Sequence, residues 1–409
     1  MLSRAGVHAS RIDDRTGEGQ IQCCMGAILR QQGQYTEAEG CLRSSLEYHR
    51  QQNEHVEAGW AIYELALLSR EEGNFRQAIS YAEEGLALFR EAGDVGGEAW
   101  MLMVVGETRR GLASYDDALA HFNQVLTTFR ILNEKEGWAS TLRDRGIVYE
   151  ALGQYENALK DFDEAFRIFH EAGLQVGQAW VFVDQSVVYV DLGRLEQAEK
   201  ICTEAFQLFH EQGIRRGEAW ALYVRGNILR TRGDLLNARN YYDEALSLFS
   251  ALGDRVDQAR VLNALGAIVG AEDDPLTAQN YHEQALAIAL EQGAKQLQGR
   301  ALRGLGDVAH SLQQLAEAQC YYHDAYEIAR ELVTPAEQCA VLRRQGTLTY
   351  EQGQFHQTLE YWMQGLHLDQ RLEHPARTEL EAKVSSLVAE QHLEKAYTQI
   401  RERSAHSPV

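Results

Sequence analysis

The sequence predicts an all-α fold, an α-α superhelix built as a solenoid of stacked antiparallel helix hairpins, and three observations carry that expectation. The chain repeats itself every 40 residues from Glu18 to Arg377, nine units with no insertion or deletion. Within each unit, apolar and small residues recur at helical spacing in two runs, as in Ile62, Leu65, Ala66 and Leu68. Each run closes on a column rich in Gly or Asn, the residue types that most readily take the left-handed conformation ending a helix. Together these give one elongated, right-handed superhelix of roughly nineteen or twenty helices, where 409 residues would otherwise suggest two or three globular domains.

Each element follows from a column. The first helix carries small residues at Gly26, Ala66, Gly106, Gly146, Gly226, Gly266, Gly306 and Gly346, so a neighbour approaches it closely. Seven residues on comes a turn glycine, among them Gly33, Gly73, Gly153, Gly193, Gly233 and Gly353, followed by an apolar anchor such as Tyr35, Phe75, Tyr155 or Phe355. The second helix has alanines at Ala38, Ala78, Ala118 and their repeats to Ala318. Bulky residues such as Phe122, Phe162, Tyr242, Tyr322 and Trp362 interleave with them to fill the gaps. It ends at Asn53, Gly93, Asn133, Gly173, Gly213, Gly253 and Gly293.

These residues are where a family resemblance enters. The order apolar, small, Gly turn, aromatic, Ala, Ala resembles the tetratricopeptide (TPR) repeat in its 40-residue form across residues 18–377. The recurring Leu-Phe-x-x-x-Gly-(Asp)-x-x-Gly-Glu-Ala end is similar to the sensor arrays of bacterial signal-transduction NTPases and regulators, which implies a non-enzymatic binding module. No GxxxxGK[ST] occurs, so the nucleotide switch that such arrays hang from is absent from these residues. Residues 1–17 read as the second helix of an incomplete unit, since Arg11–Gly17 aligns with Glu91–Gly97; residues 378–409 read as a shortened tenth unit, cap and tail, with Ala396 in the alanine column. A solenoid that starts in mid-repeat exposes apolar surface, so either the chain is a fragment of a longer regulator or its uncapped N-terminal face self-associates or meets a partner.

Charge and composition exclude other classes. With 39 Lys+Arg against 60 Asp+Glu the net charge is −21, which repels phosphate backbones and anionic lipid and argues against nucleic-acid and membrane partners. The six cysteines lack zinc-ribbon spacing and read as reduced core thiols, which points to a cytoplasmic protein. Neither a signal peptide nor an eighteen-residue apolar run is present. The fourteen histidines form no HExxH, and Gly304-Leu-Gly306 lacks the rest of a dinucleotide loop, so no enzyme, metal or cofactor is expected.

A second stripe on each first helix, at offsets 0, 3, 7 and 10, shares one helical face, and the resemblance implies that this face looks into a concave groove. The stripe supplies the candidate binding residues Trp60, Tyr63, Trp100, Met103, Arg143, Trp180, Trp220, Tyr223, Asn227, Arg230, Arg300, Arg303 and Arg343. Aromatic and arginine side chains are common interface anchors, and arginine favours an acidic or carboxylate-bearing segment of a protein or peptide partner. The tryptophans have a second reading as core, packed on the preceding unit's second helix, and Arg30, Arg70, Arg110 and Arg230 a second reading as solvated helix ends. A core column also turns polar at Arg145, Gln185, Arg225 and Gln345, which implies either structural pairing or a reach into the groove. The function that follows is a protein–protein interaction scaffold or sensor; the alternative is a sensor of a small molecule or short peptide, marked by a closed aromatic cage around Trp180 and Trp220.

Overall fold

The computed structural model describes residues 17–332, 334–369 and 376–406, so the half-unit expected at 1–17 lies, Gly17 apart, outside the described residues. Among the described residues there are only helices. They run α1 (Glu18–Gln31), α2 (Tyr35–Gln52), α3 (His55–Glu71), α4 (Phe75–Ala92), α5 (Val95–Gly111), α6 (Tyr115–Leu132), α7 (Lys135–Ala151), α8 (Tyr155–Glu171), α9 (Gln175–Asp191) and α10 (Leu195–Glu211). The array continues with α11 (Arg215–Arg232), α12 (Leu235–Ala251), α13 (Arg255–Ala271), α14 (Pro275–Glu291), α15 (Lys295–Ser311), α16 (Leu315–Glu331), α17 (Pro335–Glu351), α18 (Phe355–Asp369), α19 (Ala376–Gln391) and α20 (Glu394–His406).

Odd-numbered helices also touch odd-numbered helices of neighbouring pairs, whereas even-numbered ones make no comparable contact with each other along the nine-unit array. The side that packs more closely becomes the inside of the curve, so the first helices form the inner wall of the superhelix. Left-handed residues break the chain between helices at both turn columns. Where the first column lacks glycine, Ala113, Asp273 and Gln313 still take φ of 57°, 66° and 60°. Packing over the hairpin enforces that conformation against a cost of about 1 kcal/mol for a non-glycine residue.

A phenylalanine near the end of the second helix ties one pair to the next. Phe89, Phe129 and Phe209 are fully buried. Their rings lie 5.2, 5.0 and 4.8 Å from those of Trp60, Trp100 and Trp180 on the first helix of the same pair. Eight residues later the chain carries Gly97, Gly137 and Gly217, where a Cβ would come within 2.3, 2.7 and 2.3 Å of the ring. This explains the Phe and Gly of the recurring sequence end: the glycine leaves room for the ring. It also modifies the core reading of the tryptophans, whose rings pack on the second helix of their own pair.

The polar column is structural. Arg145 donates to both carboxylate oxygens of Asp161 at 2.7 and 2.8 Å, and Gln185 donates to Asp163 at 2.7 Å. Arg225 lies over the Tyr241 ring at 4.6 Å, and Gln345 is buried. At the C-terminal end α19 and α20 cover the array by burying Leu380, Val384, Leu387 and Leu393 against Leu359 and Trp362. At the other end Ile21, Met25 and Ile28 leave an exposed apolar stripe on α1. All six cysteines are free; Cys23, Cys202 and Cys339 are buried as core thiols, but Cys320 is exposed and departs from that expectation.

Candidate functional site

The curvature is tight enough for one turn of the superhelix to meet the next. A Cβ at Gly33 would sit 2.2 Å from the carbonyl oxygen of Leu252, a position only glycine occupies at its φ of 78°, and Gly73 lies against Gln292 in the same way. Arg216 on α11 joins this seam: its guanidinium lies 3.0 Å from Asp254 and 3.9 Å from Glu71 on α3. The expected groove is therefore closed along its side into a lumen of about 1660 Å³.

The lumen is lined with eleven arginines, ten carboxylates and no lysine, so it is close to neutral and the net charge of −21 resides on the outer surface. Most of the arginines are spent on cross-links between adjacent first helices. Arg30 donates to Glu64 at 3.0 Å and to Glu71 at 2.5 Å, and Arg70 pairs with Glu107 at 3.0 Å. Arg143 pairs with Asp184, and Arg300 donates to Glu337 at 2.5 Å. Arg30, only 7% exposed, is thus no solvated helix end. Burial would push the Glu337 carboxyl up, but Arg300 and then Arg303 overcome it and hold it at about 2.

Charge is distributed unevenly around the wall. The arc formed by α7 and α9 presents Glu136, Asp144, Glu150, Asp184 and Asp191 with Arg143 as its cation. The arc from α11 to α17 carries Arg216, Arg230, Arg260, Arg300, Arg303 and Arg344 against fewer carboxylates. Burial first, then neighbouring carboxylates, pushes the acidic arc up: Asp144 to about 7, beside Glu107, and Glu150 to about 8, beside Asp191. Burial likewise raises Asp191 to about 6.

Of the residues expected to bind, Arg143, Trp180, Trp220, Tyr223, Asn227, Arg230, Arg300 and Arg303 line the lumen. Trp60, Tyr63, Trp100, Met103 and Arg343 lie outside that lining; Tyr63, Trp100 and Met103 are buried in the core instead. In α3 and α5 only the later part of the stripe, Leu67 with Arg70 and Glu107 with Arg110, reaches the cavity. Trp180 and Trp220 do not form an open cage. Arg143 covers the Trp180 ring at 5.2 Å and Arg260 the Trp220 ring at 5.0 Å, while Trp220 Nε1 donates to Asp257 at 2.9 Å. Sequence reasoning did not assemble the acidic arc: Glu150 stands in the stripe without being offered as an anchor, and Asp144, Asp184 and Asp191 lie one position beyond the stripe's offsets.

The tetratricopeptide repeat model matches residues 18–91, 97–171, 138–211, 175–251, 217–291 and 257–331. The chain belongs to the tetratricopeptide repeat family. Solved TPR-like relatives share the fold at low identity. A Rap conjugation gene regulator of the plasmid pLS20, solved with a Phr peptide, superposes with a TM-score of 0.60 at 13% identity, covering 81% of this chain and 95% of that one. A Rap protein solved with Competence and Sporulation Factor gives 0.57 at 15% identity, covering 82% and 99%. A signal-transduction ATPase with a TPR sensor from Pyrococcus horikoshii gives 0.53 at 14% identity, covering 85% and 55%. No curated protein matches this TPR sequence. Among the described residues no helix is long and apolar enough to cross a membrane, and no cluster of side chains is arranged to hold a metal ion.

Proposed function

We propose that this TPR array is a non-enzymatic interaction module that captures a peptide segment of a partner inside its lumen, with a carboxylate of that segment turned toward the arginine-rich arc. The observation that carries the reading is the side-closed cavity of about 1660 Å³. It exceeds the ~300–1,000 Å³ of pockets for drug-sized ligands and suits several residues of chain. The carboxylate is assigned to Arg230, which lines the lumen one turn beyond Asn227 beside the Tyr242 hydroxyl, is near enough to act on the charge of Asp191, and makes no ion pair within 4 Å among the described residues. One solved relative is in complex with a Phr peptide and another with Competence and Sporulation Factor, and the former supports a peptide as the class of ligand here.

The arginine cover on Trp180 and Trp220 argues against the compact-ligand alternative, since the ring faces that would cage a small cation are already occupied by the protein. The test is selection of random hexapeptides with free C-termini, followed by titration with the quenching of Trp180 and Trp220 as readout. Selected peptides are expected to bind, and to lose about tenfold or more in affinity on C-terminal amidation or in Arg230→Gln, the scale of one charge-assisted hydrogen bond. Failure to select any peptide, or indifference to both changes, overturns the reading.

A further inference from the structure

The repeat provides its own control for what a lumen position does. On the offset-10 column of the first helices, Arg30 donates to Glu71 at 2.5 Å and His310 Nε2 meets Glu351 at 2.6 Å, each partner standing 41 residues further on. The same two positions in the α7–α9 pair are Glu150 and Asp191. Where two other units set a basic side chain against a carboxylate, this one sets a carboxylate against a carboxylate.

Nothing in the protein neutralises the pair by direct contact among the described residues. Glu150 faces Asp184 and Asp191 on α9, Arg260 on α13 and Arg300 on α15; Asp191 faces Arg300, Tyr155, Arg230 and Glu337. Of these cations Arg300 is bonded to Glu337 at 2.5 Å, and Arg260 to Asp257 at 3.3 Å while lying over Trp220. Asp184, the other acid of this arc, is already taken by Arg143. Asp191 accepts only the Tyr155 hydroxyl, at 3.4 Å. Glu150 has no hydrogen-bond partner among the described residues, yet it lines the lumen.

We propose that Glu150 and Asp191 form a cation subsite, and that the ligand of the lumen supplies the missing positive charge as a basic side chain of the bound peptide. This rests on the peptide reading above and adds polarity to it: the basic group lies against the α7–α9 arc and the carboxylate against Arg230. A half-buried, under-compensated carboxylate pair that opens on the lumen gains from a ligand cation because ligand binding replaces the absent counter-charge. Desolvation first, joined at Glu150 by the charge of Asp191, raises both carboxyls, Glu150 to about 8 and Asp191 to about 6, so both favour a neutralising partner.

The experiment uses the full chain and three hexapeptide pools, all N-acetylated with free C-termini and randomised except at one scanned position fixed as arginine, norleucine or glutamate. Tryptophan quenching reads affinity for wild type and for Glu150→Gln/Asp191→Asn at pH 8, with circular dichroism confirming the fold and Glu150→Gln alone as the milder variant. The arginine pool is expected to bind wild type at least tenfold more tightly than the norleucine pool. That preference is expected to fall to within twofold in the double variant, with norleucine binding unchanged. Equal binding of the arginine and norleucine pools, a preference for glutamate, or an arginine preference that survives in both variants overturns the cation subsite while leaving the peptide reading standing. Absence of binding by all three pools overturns the peptide reading and the subsite with it.

Discussion

The acidic arc makes a prediction about stability that needs no ligand. Burial, with Asp191 as the next cause, raises the Glu150 carboxyl to about 8 in the folded chain, against an ordinary value near 4.5. Between these values the folded state keeps a proton that the unfolded state has lost. The associated stability is therefore fully present below pH 4.5 and is lost as pH rises through about 8. Asp144 and Asp254, both raised to about 7, act in the same direction. Each pH unit over which one whole proton is retained is worth ~1.4 kcal/mol; with water in the lumen and a field shared with Asp184 and Asp191, Glu150→Gln should gain on the order of 1 kcal/mol at pH 8. At pH 5 the native carboxyl is protonated and Gln mimics it, so the gain should vanish. Urea unfolding followed by far-ultraviolet circular dichroism at pH 5, 6.5 and 8 measures this. A variant less stable than wild type at pH 8, or an offset independent of pH, would refute the argument. Glu337→Gln is the counterpart of opposite sign. Held at about 2 by Arg300 and Arg303, Glu337 contributes stability present above pH 4.5 and lost only as pH falls toward 2. Its removal leaves the half-buried guanidinium groups of Arg300 and Arg303 without their shared partner and should cost about 1–3 kcal/mol at neutral pH.

Three further outcomes follow from packing. Gly40 lies exposed in α2, where an added methyl would meet nothing within 4 Å, so Gly40→Ala should stabilise by about 0.5–1 kcal/mol, whereas Gly217→Ala drives a methyl to 2.3 Å from the Phe209 ring and should destabilise by about 1–3 kcal/mol; urea midpoints compare them. Trp100, 8% exposed and packed on Phe129, lies outside the lumen lining, so Trp100→Ala should lower stability by about 3–5 kcal/mol while a surviving fold binds lumen peptides with unchanged affinity in fluorescence titration. Gly33→Val places a branched side chain against the Leu252 carbonyl at a left-handed φ and should part the two turns of the superhelix, seen as a larger radius of gyration in small-angle scattering with helical content retained.

What the sequence made legible is what the repeat dictates locally. Phe89 and Gly97, or Phe209 and Gly217, recur because a buried ring and its vacant seat must occur together at every junction, and periodicity alone exposes such a pair. The stripe was legible as a face but not as a surface. Trp60, Tyr63, Trp100 and Met103 share the offsets of Trp180, Trp220 and Tyr223, yet the lumen reaches only the latter set. Which part of a repeated face stays open depends on how the superhelix curves back on itself, a long-range outcome with no local signature. The seam between Gly33 and Leu252, and the approach of Arg216 to Glu71, join residues that no motif connects. Pairing was hidden for the same reason: Arg30 and Arg230 occupy one column, but only the first has Glu64 and Glu71 within reach.

The offset-10 column shows how a repeat array acquires specificity without losing its fold. Arg30 and His310 spend their hydrogen bonds on holding adjacent first helices together, and each has its acid 41 residues on. At Glu150 the column changes sign while Asp191 keeps the acid of the pattern, so the change removes a cross-link and raises proton affinity rather than adding contacts. The stacking is indifferent to this change, because neighbouring pairs are held by Phe169 in the core and by Arg143 with Asp184 two turns away. A position freed from structural duty in this way can be complemented only from the lumen. Wherever else such an array places like charges in its ion-pair positions, the charge of the ligand should be readable as the sign that the repeat lacks.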